Sequence, residues 1–465
     1  MKKLTILLIL VSNIAVNVYS QIVSIDNTFG QNGMTLIPNT SSISLFDFDN
    51  HGNIIAAGIT LIDNKKYVTI AKTNPDGVID ENFNDNGLIK ITDYSRSFPH
   101  GLKITSDNKI IVIGSFSKVV FQDYATIIMK FNENGTVDDS FGDNGRINLN
   151  IDTRSIISLN FENDDFMLIT IKDYQYPYIV KYNYEGKIET SFGENGTVYL
   201  TNSIVPYCMK ILNNGSIIIA GTYNTWPNTE LGVCRLTHNG ELDTNFANNG
   251  LWHMNIMQDF DLDHEYFSNV IEDREGNLLI SGSGAFLSKF SPNGIFDTDF
   301  GENGFYWLDF WDSNTPVLQI GDKYIIAGWY DSHSHKLISV NKDGRYGNFV
   351  YDCGIYYLDV MKLQENNKII LGGGYNDIFA LERVVVDLET SIKPNDYSSV
   401  DLIISPNPVK ENLHFSNETT FEIFDIQGKI LLKSIVPVKS VNIANFKTGI
   451  YFVRINNRVW KLIKE

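Results

Sequence analysis

The chain has 465 residues, of which 43% are hydrophobic, 12% aromatic and 20% charged, a composition that excludes a largely disordered protein. Its formal net charge of −18 would repel a phosphate backbone, so nucleic acid is not an expected partner. Gly, Asn, Asp, Tyr and Phe are abundant and Ala is scarce, which points to an all-β protein of short strands joined by tight turns.

The opening "MKKLTILLILVSNIAVNVYSQ" has a basic start, a short apolar stretch and small or polar residues before Gln21. Residues 1–20 therefore read as a secretory signal peptide cut after Ser20. An N-terminal membrane anchor is the other reading, but no stop-transfer flank follows it. No later run is apolar enough for an integral membrane span.

From residue 21 to 390 one phrase returns. It reads "IDNTFGQNG" at Phe29, "IDENFNDNG" at Phe83, "VDDSFGDNG" at Phe141, "IETSFGENG" at Phe192, "LDTNFANNG" at Phe246 and "FDTDFGENG" at Phe300. The intervals are 54, 58, 51, 54 and 54 residues, and a degraded copy, "GRYGNFVYDCG", surrounds Phe349. A strand-rich period of this size marks a propeller or a solenoid. Each unit also holds a turn and an apolar strand ending in glycine, as in "HGNIIAAG", "DNKIIVIG", "NNGSIIIAG", "REGNLLISG", "GDKYIIAG" and "NNKIILGGG"; the third unit blurs it to "ENDDFMLITI".

Within the phrase, the glycine six residues before the phenylalanine (Gly77, Gly135, Gly186, Gly240, Gly294) permits a left-handed turn. The acid three before it (Asp26, Asp80, Asp138, Glu189, Asp243, Asp297) can accept backbone N–H bonds and close that turn. The ring itself reads as a wedge between neighbouring sheets, so Phe29, Phe83, Phe141, Phe192, Phe246 and Phe300 are structural rather than catalytic. The chain starts with an orphan connector at Phe29, and the last unit, ending "IFALERVVVDLE", lacks one. Residues 22–38 would thus supply the outermost strand of a last blade built from residues 355–389. The count is then a seven-bladed β-propeller of four-stranded blades, closed so that no sheet edge is left open; an open solenoid is the alternative.

The units "KFNENGTVDDSFGDNG" and "SDNKIIVIG" resemble the delta-60 type of β-propeller repeat of secreted and surface bacterial proteins. The resemblance implies the propeller fold; the family's functions are mostly undefined, so it adds no active site.

Three cysteines cannot all pair within one chain. Cys208 and Cys234 fall on the first and third strands of one unit, roughly 9–10 Å apart, beyond disulfide reach, and read as buried free thiols. Function in such a fold is carried by loops on one face, and the pieces that differ most between units are "KDYQYPY", "TYNTWPNTELG", "WYDSHSHK" and "GYNDIF", with "MQDFDLDHEYF" entering from the other side. Tyr176, Tyr223, Trp226, Trp329 and Tyr330 offer flat faces, and Asp261, Asp263 and Glu265 offer acceptors, which suits a glycan or protein ligand. Packing of the loops against the propeller is the competing role for all eight.

Neither HExxH, GxSxG, a Walker loop nor CxxC is present. His333 and His335 have the spacing of two metal ligands on one strand face, without an assignable third. "DFDNHGN" from Asp47 starts like a calcium loop, but His51 takes a ligand position and an ordinary hairpin turn fits better. No cofactor, metal or catalytic residue is assigned. A binding or scaffold module is favoured; a secreted glycan hydrolase or lyase with acids near the channel, and a structural surface-layer protein, are the alternatives.

After a linker at 391–401 the texture changes. Residues 402–465 carry nine Lys or Arg against five Asp or Glu, and the leader holds Lys2 and Lys3, which leaves −24 on residues 21–401. "FEIFDI", a Gln-Gly-Lys turn, "ILLKSI" and "TGIYFVRI" predict a small β-sandwich. "SPNPV", "EIFDIQGKIL", "TGIYFVRI" and the terminal "KLIKE" resemble, in order, the type A C-terminal sorting domain of the Bacteroidota type IX secretion system. That resemblance implies recognition of residues 402–465 by the type IX machinery, passage through the outer membrane, and removal of the tail with release or surface attachment.

Overall fold

The structure is a computed structural model describing residues 23–465, apart from 120–123, 153–155, 163–165, 172–175, 201–203, 224–229, 256–265, 283–285, 309–315, 332–333, 366, 387–403, 406–407, 426–428 and 456–457. Every regular element among the described residues is a strand, and no helix there is long and apolar enough to cross a membrane. Two compact units divide between Thr390 and Ser391.

The first unit opens with two short strands, β1 (Val23–Ile25) and β2 (Met34–Ile37), flanking the Phe29 connector. Groups of four follow. β3 (Ser42–Phe48), β4 (Ile54–Ile62), β5 (Lys65–Thr73) and β6 (Leu88–Lys90) form one antiparallel set. β7 (Arg96–Ile104), β8 (Ile110–Ser117), β9 (Ala125–Phe131) and β10 (Arg146–Asp152) form the next, joined to the first by one parallel pair, Lys66 with Arg96. Then come β11 (Ile156–Glu162), β12 (Phe166–Ile171), β13 (Tyr178–Asn183) and β14 (Thr197–Tyr199), followed by β15 (Ile204–Ile211), β16 (Ile217–Tyr223), β17 (Glu230–Leu236) and β18 (Leu251–Met254). β19 (Phe267–Glu272), β20 (Leu278–Gly282), β21 (Phe286–Phe290) and β22 (Phe305–Trp307) make a further sheet, as do β23 (Val317–Ile320), β24 (Lys323–Asp331), β25 (Ser334–Asn341) and β26 (Tyr346–Asp352).

The last group has only three strands of its own, β27 (Tyr357–Gln364), β28 (Lys368–Tyr375) and β29 (Ile378–Val386). Its fourth place is filled from the chain start: Val23 pairs with Val386 and Ile25 with Val384 in β1, while Met34 pairs with Glu382 and Ile37 with Phe379 in β2. The complementary ends read in the repeat do zip together, which closes the propeller.

Second strands are apolar through their central residues because both faces of each sheet are covered by neighbouring sheets; every residue of β8 is buried. The cores lie between sheets and run in a cycle. Phe83 packs with β4, β5, β8 and β9, Met167 with β8 and β9, and Phe192 with β12, β13, β16 and β17. Phe246 then packs with the β19–β21 sheet, Phe300 with β23–β25, and Ile325 with Leu371 of the last sheet. The cycle ends where it began, with Phe29, Ile370 and Phe379 against Phe46 and Ile54.

The glycine in β4, β8, β16, β20 and β28 has a tertiary cause. The first strand bulges opposite it, between Ile43 and Leu45 in β3, for example, and pushes its backbone close; a Cβ on Gly58 would lie 2.0 Å from the Ser42 carbonyl oxygen. Bulges let a strand twist sharply while retaining its pairing.

Around Phe349 the chain departs from the repeat. Residues 346–352 run as strand β26 instead of forming the connector turn, yet Gly344 keeps its positive φ of 75° and stays against Phe300. The degraded copy has lost the wedge half of the phrase and kept the glycine half.

Two buried acids at the closure give stability opposite pH dependences. Glu382 is fully buried and accepts hydrogen bonds from Tyr351 Oη at 2.6 Å and Gly354 N at 2.7 Å. Burial outweighs these bonds and raises its carboxyl above the usual range. Its contribution is therefore complete below the ordinary Glu value of about 4.3 and is lost as pH rises through the raised one. Burial also pushes Asp26 up, but Thr28, Lys368 and the Arg383 guanidinium prevail and hold it well below the carboxylate range. Asp26 thus contributes above the ordinary Asp value of about 3.9 and loses that contribution as pH falls. Substituting Glu382→Gln, which stays neutral, should flatten the fall in urea midpoint as pH rises above the ordinary Glu value of about 4.3; an unchanged slope would exclude Glu382 as its source.

The second unit contains β30 (Ile404–Ser405), β31 (Asn412–Phe424), β32 (Ile430–Asn442), β33 (Gly449–Ile455) and β34 (Arg458–Lys464). The long β31 pairs with β30, β32 and β33, and β34 adds to β33. Val409, Leu413, Phe421, Ile423, Val453 and Leu462 form a core of its own, so "FEIFDI" and "TGIYFVRI" are adjacent strands whose alternate residues face it.

Candidate functional site

Register places the ends of second strands and the starts of first strands at one end of the first unit: Ile204 lies opposite Tyr223, Phe267 opposite Gly282, and Tyr357 opposite Gly374. The start of β19 is therefore at the same end as the exits of the second strands, rather than opposite them. Tyr223 closes β16, and Trp329 and Tyr330 lie near the end of β24.

Trp329 joins an aromatic group. Its ring meets His335 at 5.2 Å and Tyr357 at 5.6 Å, and Tyr356 stacks on Tyr375 at 4.8 Å. His335 is buried, and its Nδ1 donates to the Tyr356 carbonyl oxygen at 2.7 Å, tying the two pairs together. Tyr356 and Tyr357 are 41% and 51% exposed, so part of each remains in contact with water. The sequence reading included Trp329 and the "GYNDIF" piece but missed Tyr356 and Tyr357, which lie in "GIYYLDV" on the way into a first strand. Their signal was present, since segments entering first strands reach the same end as those leaving second strands.

The other candidates do not converge on this group. Tyr223 stacks on His253 at 4.3 Å, and His253 Nδ1 pairs with Glu230 Oε2 at 2.5 Å. Tyr176, 57% exposed, borders a shallow cleft of about 460 Å³ with Gly193, Glu194, Thr197, Val198, Tyr199 and Gly240. Trp226, Asp261, Asp263 and Glu265 lie outside the described residues, as does the side chain of Tyr330.

The connector is a clamp between sheets. Each phenylalanine N–H donates to the carbonyl of the acid three residues earlier, as from Phe83 to Asp80 at 2.9 Å, and the acid side chain accepts the N–H two residues on. The residue after the ring then donates to the next repeat: Gly30 to Asp76, Asn84 to Asn134, Gly193 to Asn239, Ala247 to Asn293 and Gly301 to Asp343, at 2.7–2.9 Å. A cation completes the clamp. Lys72, Lys130, Lys181 and Arg235, each eleven residues before its phenylalanine, lie over Phe83, Phe141, Phe192 and Phe246 at 4.8–5.9 Å. Arg383 takes that place over Phe29 at 4.8 Å. The sequence reading overlooked this recurring cation, although its spacing is constant.

The calcium-like stretch folds as a turn. Asp49 accepts N–H bonds from His51 and Asn53, both at 2.9 Å. Ligand atoms of Asp49, His51 and Glu133 lie within 4.8 Å of one another. Lys72 Nζ, however, is 3.5 Å from Asp49 and 3.9 Å from Glu133, so an ammonium already supplies the charge a metal would bring. His333 lies outside the described residues, and His335 is engaged within the aromatic group. Cys208 and Cys234 are free and buried on the first and third strands of one sheet, with β16 between them, and burial raises both thiols to about 12, which keeps them inert.

Closed sheets and a separate basic tail define a β-propeller carrying an export module. Residues 404–465 match the secretion system C-terminal sorting domain, and residues 105–141 and 212–246 match the domain of unknown function (DUF5122) beta-propeller. The chain is therefore a propeller with a type IX secretion C-terminal sorting domain, delivered to the cell surface or beyond. No curated protein matches the sequence. Among solved structures it is similar to PorZ, a surface component of the type IX secretion system of Porphyromonas gingivalis, with a TM-score of 0.39 and 11% identity over 91% of this chain. The chain spans 59% of that structure's length. YCF48 bound to D1 peptide has a TM-score of 0.45 and 9% identity, covering 77% of this chain and 99% of its own. The Dos1 propeller has a TM-score of 0.42 and 8% identity, covering 76% and 93%.

Proposed function

We propose that this is a seven-bladed propeller acting outside the cell as a binding or scaffold module for a glycan or protein ligand. On this reading residues 1–20 are a signal peptide, 21–390 the propeller, 391–401 a linker and 402–465 the sorting domain handled by the type IX machinery. The aromatic group in which half-buried Trp329 and Tyr375 back the exposed Tyr357 and Tyr356 carries the reading. Flat rings left open to water at the convergence of several strand ends suit stacking on sugar faces or on apolar side chains.

A glycan array probed with the full chain, with released sugars assayed in parallel, tests it. Retention of a glycan should fall at least about tenfold with Trp329→Ala or Tyr357→Ala, as loss of a stacked ring costs roughly 1–2 kcal/mol or more. Turnover of the retained glycan would replace the binding reading with an enzymatic one, and unaltered retention by both variants would move the site elsewhere.

A further inference from the structure

The first strands of neighbouring sheets adjoin one another, β27 with β3, β3 with β7, β7 with β11, β11 with β15 and β15 with β19, so they form the innermost layer. In most of them the bulge recurs at one level, between Pro99 and Gly101, Ile156 and Ser158, Pro206 and Cys208, Phe267 and Asn269, and Leu358 and Val360. Two residues beyond each bulge lies one equivalent position, held by Asp47, Lys103, Asn160, Lys210, Ile271 and Lys362 in chain order. In a unit dominated by acids, lysine holds half of these places.

Lys210 and Lys362 belong to sheets that are not neighbours, yet the Lys362 charge acts on Lys210. Both lie at the equivalent position on first strands, so their charges bear on each other across the space those strands enclose. Lys210 is reached by water but surrounded by protein on most sides, as a side chain in a narrow channel would be. Burial, then the Lys362 charge, lowers its ammonium below the usual lysine value, and Glu272 offsets this only in part. Glu272 itself accepts the Asn213 N–H at 2.7 Å, and Lys362 Nζ is 2.7 Å from Asp47. Among the described residues Lys210 has no ion-pair partner.

We propose that the channel at this level is an anion site, in which Lys210 and Lys362, with Lys103 on the same ring, hold a divalent oxyanion, free or carried on a sugar. An anion between two like charges relieves their repulsion and replaces the water lost on enclosure, so the site gains most from a compact, doubly charged group. The inference is independent of the aromatic group, which lies at the strand ends.

Titration calorimetry of the full chain with inorganic phosphate, inorganic sulfate and glucosamine 6-sulfate tests it, with thermal unfolding followed on the same samples. Binding should weaken as salt rises, should raise the melting temperature, and should fall at least about tenfold with Lys210→Met while surviving Lys210→Arg. Binding of the free ions alone assigns the site to an ion; tighter binding of the sulfated sugar assigns it to a glycan end. If the native chain binds none of the three, or if a folded Lys210→Met variant binds as well as the native chain, the proposal is overturned. Lys362→Met serves as the second variant, with its own melting curve, should Lys210→Met not fold.

Discussion

Replacing Arg383 with alanine is expected to cost about 3–5 kcal/mol of stability, because it removes a buried guanidinium from the seam that closes the propeller, leaving the Pro75 carbonyl without that donor and Asp26 with Lys368 as its remaining counter-ion. Arg383 is 2% exposed, and its Nε lies 2.9 Å from Asp26 Oδ2. Its Nη1 donates to the Pro75 carbonyl at 2.8 Å, and Nη2 reaches Thr28 Oγ1 at 3.1 Å. One guanidinium thus joins the chain start, the last sheet and the first connector loop, and it covers Phe29 as well. Denaturant unfolding of the full chain measures the loss, with the propeller transition separated from that of the tail. A paired Asp26→Leu, Arg383→Met variant should lose less than Arg383→Ala, because it removes both charges together and refills the space with apolar side chains. A loss below about 1 kcal/mol for Arg383→Ala would place it among exposed ion pairs and leave the seam to backbone pairing alone.

Truncating a wedge is expected to cost as much. Phe246 is fully buried between two sheets, beneath Arg235 at 4.8 Å and against Gly294. Phe246→Ala should therefore lose roughly 3–5 kcal/mol, the usual range for a buried ring. Gly294→Ala should also destabilise, for two reasons. Its φ is 79°, and an added Cβ would lie 2.6 Å from the Phe246 ring. With the ring gone the clash disappears while the backbone strain remains. The Gly294→Ala penalty should thus be smaller in the Phe246→Ala background, by about 0.5–3 kcal/mol in a double-mutant cycle. Additive losses would mean that the glycine is required only for its backbone angle.

These two expectations bear on different parts of the fold. Closure depends on residues more than three hundred positions apart, whereas the wedge repeats in every connector. A destabilised seam can open one sheet edge, exposing β29 to other chains; a missing wedge leaves a cavity between sheets that remain paired.

Much of the architecture was legible in the amino-acid order because it is written in local chemistry. Asn-Gly pairs with positive φ, the acid that closes each turn and the apolar second strands are short-range features, and their constant period betrays a repeat. The missing connector after the last unit and the spare one at Phe29 were enough to anticipate the zipped ends. Export was legible for the same reason, as the tail keeps its motifs in order. Three features had to await the tertiary structure. The aromatic group draws Trp329, Tyr357 and Tyr375 from different strands, and their meeting depends on register. The cation over each wedge is eleven residues from its ring, and only the fold of the connector brings it back. Lys210 and Lys362 come to one level of the inner layer because a closed circle turns distant sheets toward a common axis, a relation that no spacing along the chain contains.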